Sequence, residues 1–343
     1  MMIDRQYVPF DVFGMREEVR VSTMVRVGDL GWTCGMCPLD VSSAVVAAGD
    51  LQAQAGFVCN MIEAVFQRAG FDSKDAAKLV IYHAAKSADE LSEMLTVFKK
   101  NFPSRPVLVP VPVDHFYYEG MLLEVDAYAD ASLEPASEAV GPGIQVRHGR
   151  DFTYMAATVS GFDQIEAALD SNKLHFERLL AAEWYSERSL AILDPAHSPL
   201  SIESQEFVQV GSTHTASLST DLTFASQLKV DAKVIGEGVL VRRTDDLVML
   251  SASVARSDLS LVDQTRAIME RLDAALREEG LDWSHVVKIS APYVGGASET
   301  DLHENLKIRH AFHVLPGPAS TGLPVRAFAD PDFRIVVRLT AHR

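Results

Sequence analysis

The segment Ala64-Val65-Phe66-Gln67-Arg68-Ala69-Gly70-Phe71-Asp72 returns 210 residues later as Ala274-Ala275-Leu276-Arg277-Glu278-Glu279-Gly280-Leu281-Asp282. The same offset carries Gln54 to Gln264 and Lys78 to Lys288. A helix, the glycine that stops it and the strand that follows therefore occur twice in register, which restricts the chain to a tandem of one supersecondary unit. A third, eroded copy lies between them. Phe152 to Ala157 reads as its strand, Gln164 to Leu180 as its helix and Gln227 to Val234 as its closing strand, with Val230-Asp231-Ala232 echoing Val125-Asp126-Ala127. Three units in 343 residues average about 114 each, whereas length alone suggests roughly two domains of about 150.

In the first unit, Glu18 to Val27 alternates as a strand, Gly28-Asp29 turns it, and Leu30 to Cys34 is a second strand. A helix from Asp50 to Ala69 places Phe57, Met61, Ile62, Val65 and Phe66 on one stripe, with Asp50 as N-cap and Gly70 as stop. Lys78 to Tyr82 is the next strand, and Ser87-Ala88-Asp89-Glu90 is a capping box opening a helix that runs to about Asn101. Two alternating apolar runs follow, one opened by Arg105 and one containing Glu124, and they read as paired strands with the two charges facing each other across a sheet edge. This order predicts an α+β unit with two helices on one face of a sheet. Asp130 to Gly143, with Pro135, Gly141, Pro142 and Gly143, reads as a linker. The expected division is 1–129, linker 130–143, 144–236 and 237–343.

Composition narrows the function. Forty-seven acidic residues against 31 basic ones give a net charge of -16, which argues against nucleic acid or an anionic membrane as partner because both need clustered Lys and Arg. No apolar run reaches the roughly 18 residues of a membrane span, and Met1 to Gln6 lacks a signal peptide's regions, so the expectation is a soluble, cytoplasmic protein. Three cysteines cannot all pair, and their apolar surroundings suit reduced thiols.

Arg105 offers a planar donor fork matched to a carboxylate, and Glu124 can hold or deprotonate a water, so together they could hydrolyse a small organic acid. A structural ion pair is the plainer reading of the same two residues. Cys34-Gly35-Met36-Cys37 has redox or zinc spacing but no second pair. His303, His310 and His313 could share a helical face, although histidines so spaced are more often packing or surface residues than metal ligands. Asp194, His197 and Ser198 form no recognisable nucleophile motif, and neither a metal site nor a cofactor is expected. The loop Asp114-His115-Phe116-Tyr117-Tyr118-Glu119 is unusually aromatic; it reads as hairpin packing or, at a cleft mouth, as a surface that stacks on a ring-bearing substrate.

Gly28, Thr33 to Pro38, Gln54, Asn60, Gly70, Pro103-Ser104-Arg105 and Glu124-Val125-Asp126-Ala127-Tyr128-Ala129 together resemble the Rid (reactive intermediate deaminase, or YjgF) family. The likeness runs from about Val19 to Ala129 and returns more weakly in the last repeat. It implies chorismate-mutase-like topology and three fused units standing in for the family's homotrimer, in a pseudo-threefold arrangement with sheets inward and helices outward. It also implies that Arg105 grips the substrate carboxylate, that Glu124 positions the hydrolytic water, and that Cys34 and Gly35 line the cleft. Val107, Phe116 and Tyr117 join them as substrate-binding candidates. Two departures, Val21-Ser22 where deaminating members often have tyrosine and Val107 where some have cysteine, argue against a short 2-aminoacrylate-like enamine. The arginine position falls on about His214 in the second repeat and on Ser320 in the third; the glutamate position falls on about Lys229 and on Val336.

The resemblance thus implies an imine or enamine deaminase acting on a small carboxylate, without cofactor, as a monomer or dimer rather than an obligate homotrimer. A chorismatase-like hydrolase or lyase of a larger cyclic carboxylate is one alternative, and a non-catalytic binder of carboxylate metabolites is another.

Overall fold

The computed structural model describes residues 5–135, 143–160, 162–187, 206–211, 218–296 and 298–343. The first unit comprises β1 (Arg5–Pro9), β2 (Ser22–Val27), β3 (Leu30–Thr33), α1 (Leu51–Arg68), β4 (Ala76–His83), α2 (Ala88–Asn101), β5 (Val107–Pro112) and β6 (Leu123–Asp130). The second has β7 (Ile144–His148), β8 (Phe152–Val159), α3 (Phe162–Ser171), β9 (Leu179–Ser186), β10 (Phe207–Gln209) and β11 (Leu218–Ala225). The third has β12 (Asp231–Ile235), β13 (Val239–Arg243), β14 (Leu247–Ser253), α4 (Leu261–Glu278), β15 (Val286–Val294), α5 (Glu299–Ala311), β16 (Ala319–Val325), β17 (Ala327–Phe328) and β18 (Val336–His342).

Both long helices of the first unit begin where their caps predict. The Asp50 side chain accepts from the Ala53 amide and the Ser87 side chain from the Glu90 amide, satisfying amides that the first turn leaves without partners. The stripe of α1 buries Met61, Ile62, Val65 and Phe66 against the sheet, and Gly70, at φ +75°, takes the left-handed turn that ends it.

Three six-stranded sheets result, with orders β1-β2-β3-β6-β4-β5, β17-β10-β9-β11-β8-β7 and β12-β13-β14-β18-β15-β16. Five strands recur in one order in every sheet, and the unit's closing strand always enters the middle. The Arg105 and Glu124 strands, expected to pair, are therefore kept apart. β4 lies between them, parallel to β5 and antiparallel to β6. In the second unit the helix ends at Ser171 rather than Leu180, because the chain turns at Lys173, φ +54°, and re-enters the sheet at Leu179. Its closing strand is β11, not Gln227 to Val234. Every residue of β11 is buried, as a central strand requires, whereas β12 is exposed at Asp231, Ala232, Lys233 and Val234 and pairs with β13 at the edge of the third sheet. The third sheet thus begins at Asp231, inside the segment assigned to the second repeat. Half of the expected linker, residues 136–142, lies outside the described residues.

Each unit has an apolar layer between its sheet and helices. A further cluster is shared, with Val25, Trp32, Val80 and Val109 of the first unit meeting Tyr154 and Tyr185 of the second and Val287 and Leu323 of the third. The inner sheet faces thus meet around a pseudo-threefold axis and the helices lie outside. On that axis is a cavity of about 100 Å³ walled by buried charges. The Lys78 ammonium donates to both Asp221 oxygens at 2.7 and 2.8 Å, and the Lys288 ammonium lies 2.9 Å from Asp126. Arg338 reaches Glu183 at 3.2 Å. Each pair joins two different units.

Removing one member of such a pair strands a buried charge, at a cost of about 3–5 kcal/mol, whereas replacing both with apolar groups often costs little. Lys78→Met is accordingly expected to lower unfolding free energy by about that much, and Lys78→Met with Asp221→Leu to recover most of the loss. Urea denaturation of the two variants beside wild type measures both quantities.

Candidate functional site

A cavity of about 80 Å³ opens between the first and third units. The segment after β3 forms one wall. The Cys34 amide donates to Thr23 O at 2.8 Å, and Met36 and Val125 exchange both backbone hydrogen bonds, so Gly35 is drawn across the face of β6. The opposite wall comes from α5 and β16, with Leu302, Leu306, His310, Ser320 and Gly322. Phe116 and Tyr117 close one end, and the Tyr117 hydroxyl donates to Gly296 O at 3.2 Å, fastening that loop to the third unit.

Glu124 enters this cavity directly beneath Gly35. A Cβ at position 35 would stand 1.7 Å from Glu124 Oε1, so a side chain there would displace the carboxyl from its present place. Glu124 is 9 % exposed and has no hydrogen-bond partner among the described residues. Burial first, and the neighbouring Asp126 carboxylate second, push its pKa up to about 8 against the opposing pull of Lys288. At neutral pH the group is a carboxylic acid with a proton to give. Cys34 and Cys37 are free and buried, and burial drives both thiols far above the usual range, so neither is a thiolate at neutral pH. Cys34 and Gly35 contribute backbone and shape.

Five predicted residues, Cys34, Gly35, Phe116, Tyr117 and Glu124, thus share one cavity. Arg105 and Val107 do not line it. Val107 is fully buried in the shared core, opposite Lys78 on β4. Arg105, two residues earlier and exposed, adopts φ +55° ahead of β5. By that register Arg105 is level with Ala76, whereas Glu124 is opposite Tyr82. Six residues of strand, about 20 Å, separate the two levels. The Leu108 amide and carbonyl bond the Gln145 side chain, so Arg105 leads into the face between the first and second units.

Register also revises the counterparts in the other repeats. Ala319 is opposite Lys288 as Val107 is opposite Lys78, which makes Gly317, not Ser320, the third unit's counterpart of Arg105. Val336 corresponds to Glu124 as expected, because Arg338 is opposite Ser290 as Asp126 is opposite Val80. In the second unit Asp221 takes the place of Asp126, so Ser219 rather than Lys229 corresponds to Glu124. His214, Asp194, His197 and Ser198 lie outside the described residues. His310 and His313 stack with ring centroids 4.9 Å apart, while His303 faces Glu17 instead, 3.8 Å away.

Three α+β units on a pseudo-threefold axis, with a glutamate-bearing cavity where two of them meet, define the class. Residues 16–131 match the family model described as Endoribonuclease L-PSP. A RutC family protein of Pyrococcus abyssi is 28% identical over 109 residues, 32% of this chain and 84% of that protein, and one from Pyrococcus horikoshii is 27% identical over the same shares. A solved structure titled as a chorismatase covers 78% of this chain and 93% of its own at TM-score 0.53 and 8% identity, a likeness of fold. The first unit thus carries a match to the Rid (YjgF) family, and the three sheets fit fused repeats of that unit.

The pKa of Glu124 ties stability to pH. The unfolded group titrates near 4.5 and the folded one near 8, so the folded state holds the extra proton between those values. This contribution is complete below about pH 4.5 and is lost as pH rises towards 8, at about 1.4 kcal/mol per unit. Glu124→Gln is expected to lack that slope. Urea unfolding from pH 5 to 9 tests it, since equal slopes in both proteins would mean that the carboxyl is not held protonated.

Proposed function

We propose that the Glu124 cavity is the active site of a hydrolase acting on the C=N bond of an imine, or of its enamine tautomer, derived from a small carboxylic acid. The observation that supports this most is the Glu124 carboxyl, buried, without a hydrogen-bond partner among the described residues and facing a largely apolar cavity, a setting that raises its pKa to about 8. Such a group first protonates the substrate, at nitrogen in the imine or at the terminal carbon in the enamine, giving an iminium. The resulting carboxylate then takes a proton from the water that attacks the iminium carbon. The carbinolamine collapses with breakage of the C–N bond, the proton passes to nitrogen, and ammonia and a keto acid leave. A pKa near neutrality lets one residue act as acid and then base. The likeness of the first unit to the Rid family supports the reaction class, and the absence of a side chain at position 35 leaves room for the Glu124 carboxyl itself at the cavity wall.

The lining favours a substrate with an apolar or ring-bearing substituent, because Phe13, Phe116, Tyr117, Leu302 and Leu306 surround the glutamate. The same lining supports a second reading, hydrolysis or lysis of a larger cyclic carboxylate, with Glu124 again the proton donor.

Imino acids generated in situ by an L-amino-acid oxidase provide the test, with keto-acid release followed in the presence and absence of the protein. Turnover of the phenylalanine-derived imine is expected to exceed that of the alanine-derived imine. Glu124→Gln should lower kcat by about 10²- to 10⁴-fold, and wild-type activity should fall as pH passes 8. Full activity in Glu124→Gln would reject this site, and loss confined to Arg105→Ala would move it to the face between the first and second units.

A further inference from the structure

Behind the cavity wall formed by Ser320 and Gly322 lies Arg309, in the last turn of α5. Its side chain is fully buried. Nε donates to Asn305 Oδ1 at 2.8 Å and one terminal nitrogen donates to Ser320 Oγ at 3.1 Å, both neutral acceptors. The other terminal nitrogen, Nη2, is buried and has no partner among the described residues. No carboxylate lies within ion-pair distance of the guanidinium among the described residues. The negative end of the α5 dipole offsets part of the charge, yet burial still draws the arginine pKa down to about 10.

A buried cation without a counterion is costly, and arginines normally escape that cost by pairing. Arg309 is held in place by two hydrogen bonds to neutral acceptors, while its Nη2 lies against Gly322, a residue of the cavity wall. A Cβ at Gly322 would lie 2.9 Å from Nη2, so the missing side chain at 322 is what leaves the guanidinium open towards the cavity-lining strand. The strand register adds a second observation. Gly317 stands where Arg105 would stand in the third unit, so the loop before β16 brings no cation to the Glu124 cavity.

We propose that Arg309, oriented by Asn305 and Ser320 and reached past Gly322, receives the carboxylate of the substrate in the Glu124 cavity. One unneutralised positive charge in an apolar wall matches one negative charge, which suits a monoanionic carboxylate better than a phosphate dianion. The planar fork of guanidinium suits the two oxygens of that group. A carboxylate bound there leaves the rest of the molecule among the aromatic residues, with its α-carbon towards Glu124. The proposal rests on the cavity being the active site, but it concerns binding and is testable without turnover.

The probes are benzoate and its neutral isostere benzamide, titrated calorimetrically against the full chain. Wild type is expected to bind benzoate and to discriminate against benzamide by about 10- to 100-fold, the worth of a hydrogen bond to a charged partner. Arg309→Met should abolish that discrimination. Gly322→Ala, a change that suits a strand and keeps the arginine, should weaken benzoate at least about tenfold by placing a methyl group between Nη2 and the cavity, and it decides the matter if Arg309→Met does not fold. Glu124→Gln should bind benzoate about as well as wild type whatever it does to turnover, so failure of the catalytic reading and failure of this one are separable. Equal binding of benzoate and benzamide by wild type, no binding of benzoate at all, or undiminished benzoate binding in folded Arg309→Met or Gly322→Ala would overturn it.

Discussion

The buried ion pairs around the central axis are the constraint on which the rest of the arrangement depends. Lys78 reaches Asp221 in the next unit and Lys288 reaches Asp126, each pair almost fully withdrawn from water. Lys288 also donates to Thr33 O and Thr321 Oγ1, and Thr321 donates to Asp126, so the third unit is keyed to the first by several bonds around one ammonium. An ammonium buried in this way tolerates little displacement, because any sliding of one sheet against another would leave it unpaired at a cost of several kcal/mol. Apolar contact supplies the driving force for the inner faces to meet. The ion pairs fix how they meet, and hence bring Gly35 of one unit against Ser320 of another. Asp126, Asp221 and Arg338 occupy equivalent places in the three sheets. One of the three having become an arginine relieves a cluster of acids that identical units would put on the axis.

The faces between units have diverged in the same manner. Glu124 belongs to the face between the first and third units, and Arg105 leads into the face between the first and second. A pair of charges that looks like one site along the chain is thus divided between two faces. At the glutamate's face the third unit contributes Gly317, Ser320 and a helix bearing Arg309.

The tandem of units was legible because helix, stop glycine and strand recur at a constant interval, and the cap residues Asp50 and Ser87 mark helix starts by chemistry that acts locally. Strand order was not legible. Nothing in the runs around Arg105 and Glu124 reveals that β4 is inserted between them, since pairing depends on contacts across the whole unit. The second repeat misled for a related reason. The echo Val230-Asp231-Ala232 resembled the closing strand, but alternating Lys229, Asp231 and Lys233 suit an edge, while the uniformly buried Leu218–Ala225 suits the centre. Glu124 was legible from its chemistry and Cys34 and Gly35 through the family likeness, and the three come together in space. Arg309 gave no local signal: in a helix as polar as Glu299–Ala311 an arginine reads as solvent-facing, and only packing against β16 buries it.

The bare α-carbon at position 35 has a consequence for how such chains change over time. Met36 pairs with Val125 as Ala157 pairs with Thr220 and Ala252 with Val337, so Gly35, one residue earlier, corresponds to Ala156 and Ser251 in the other two units. Those units carry Ser219 and Val336 where the first has its glutamate. Glycine and glutamate are therefore kept together or lost together: a methyl group at 35 evicts the carboxyl, and once the carboxyl is gone nothing prevents the methyl from appearing. Loss of the acid is easily made permanent, because its return would require a second change at a residue that by itself has no chemistry.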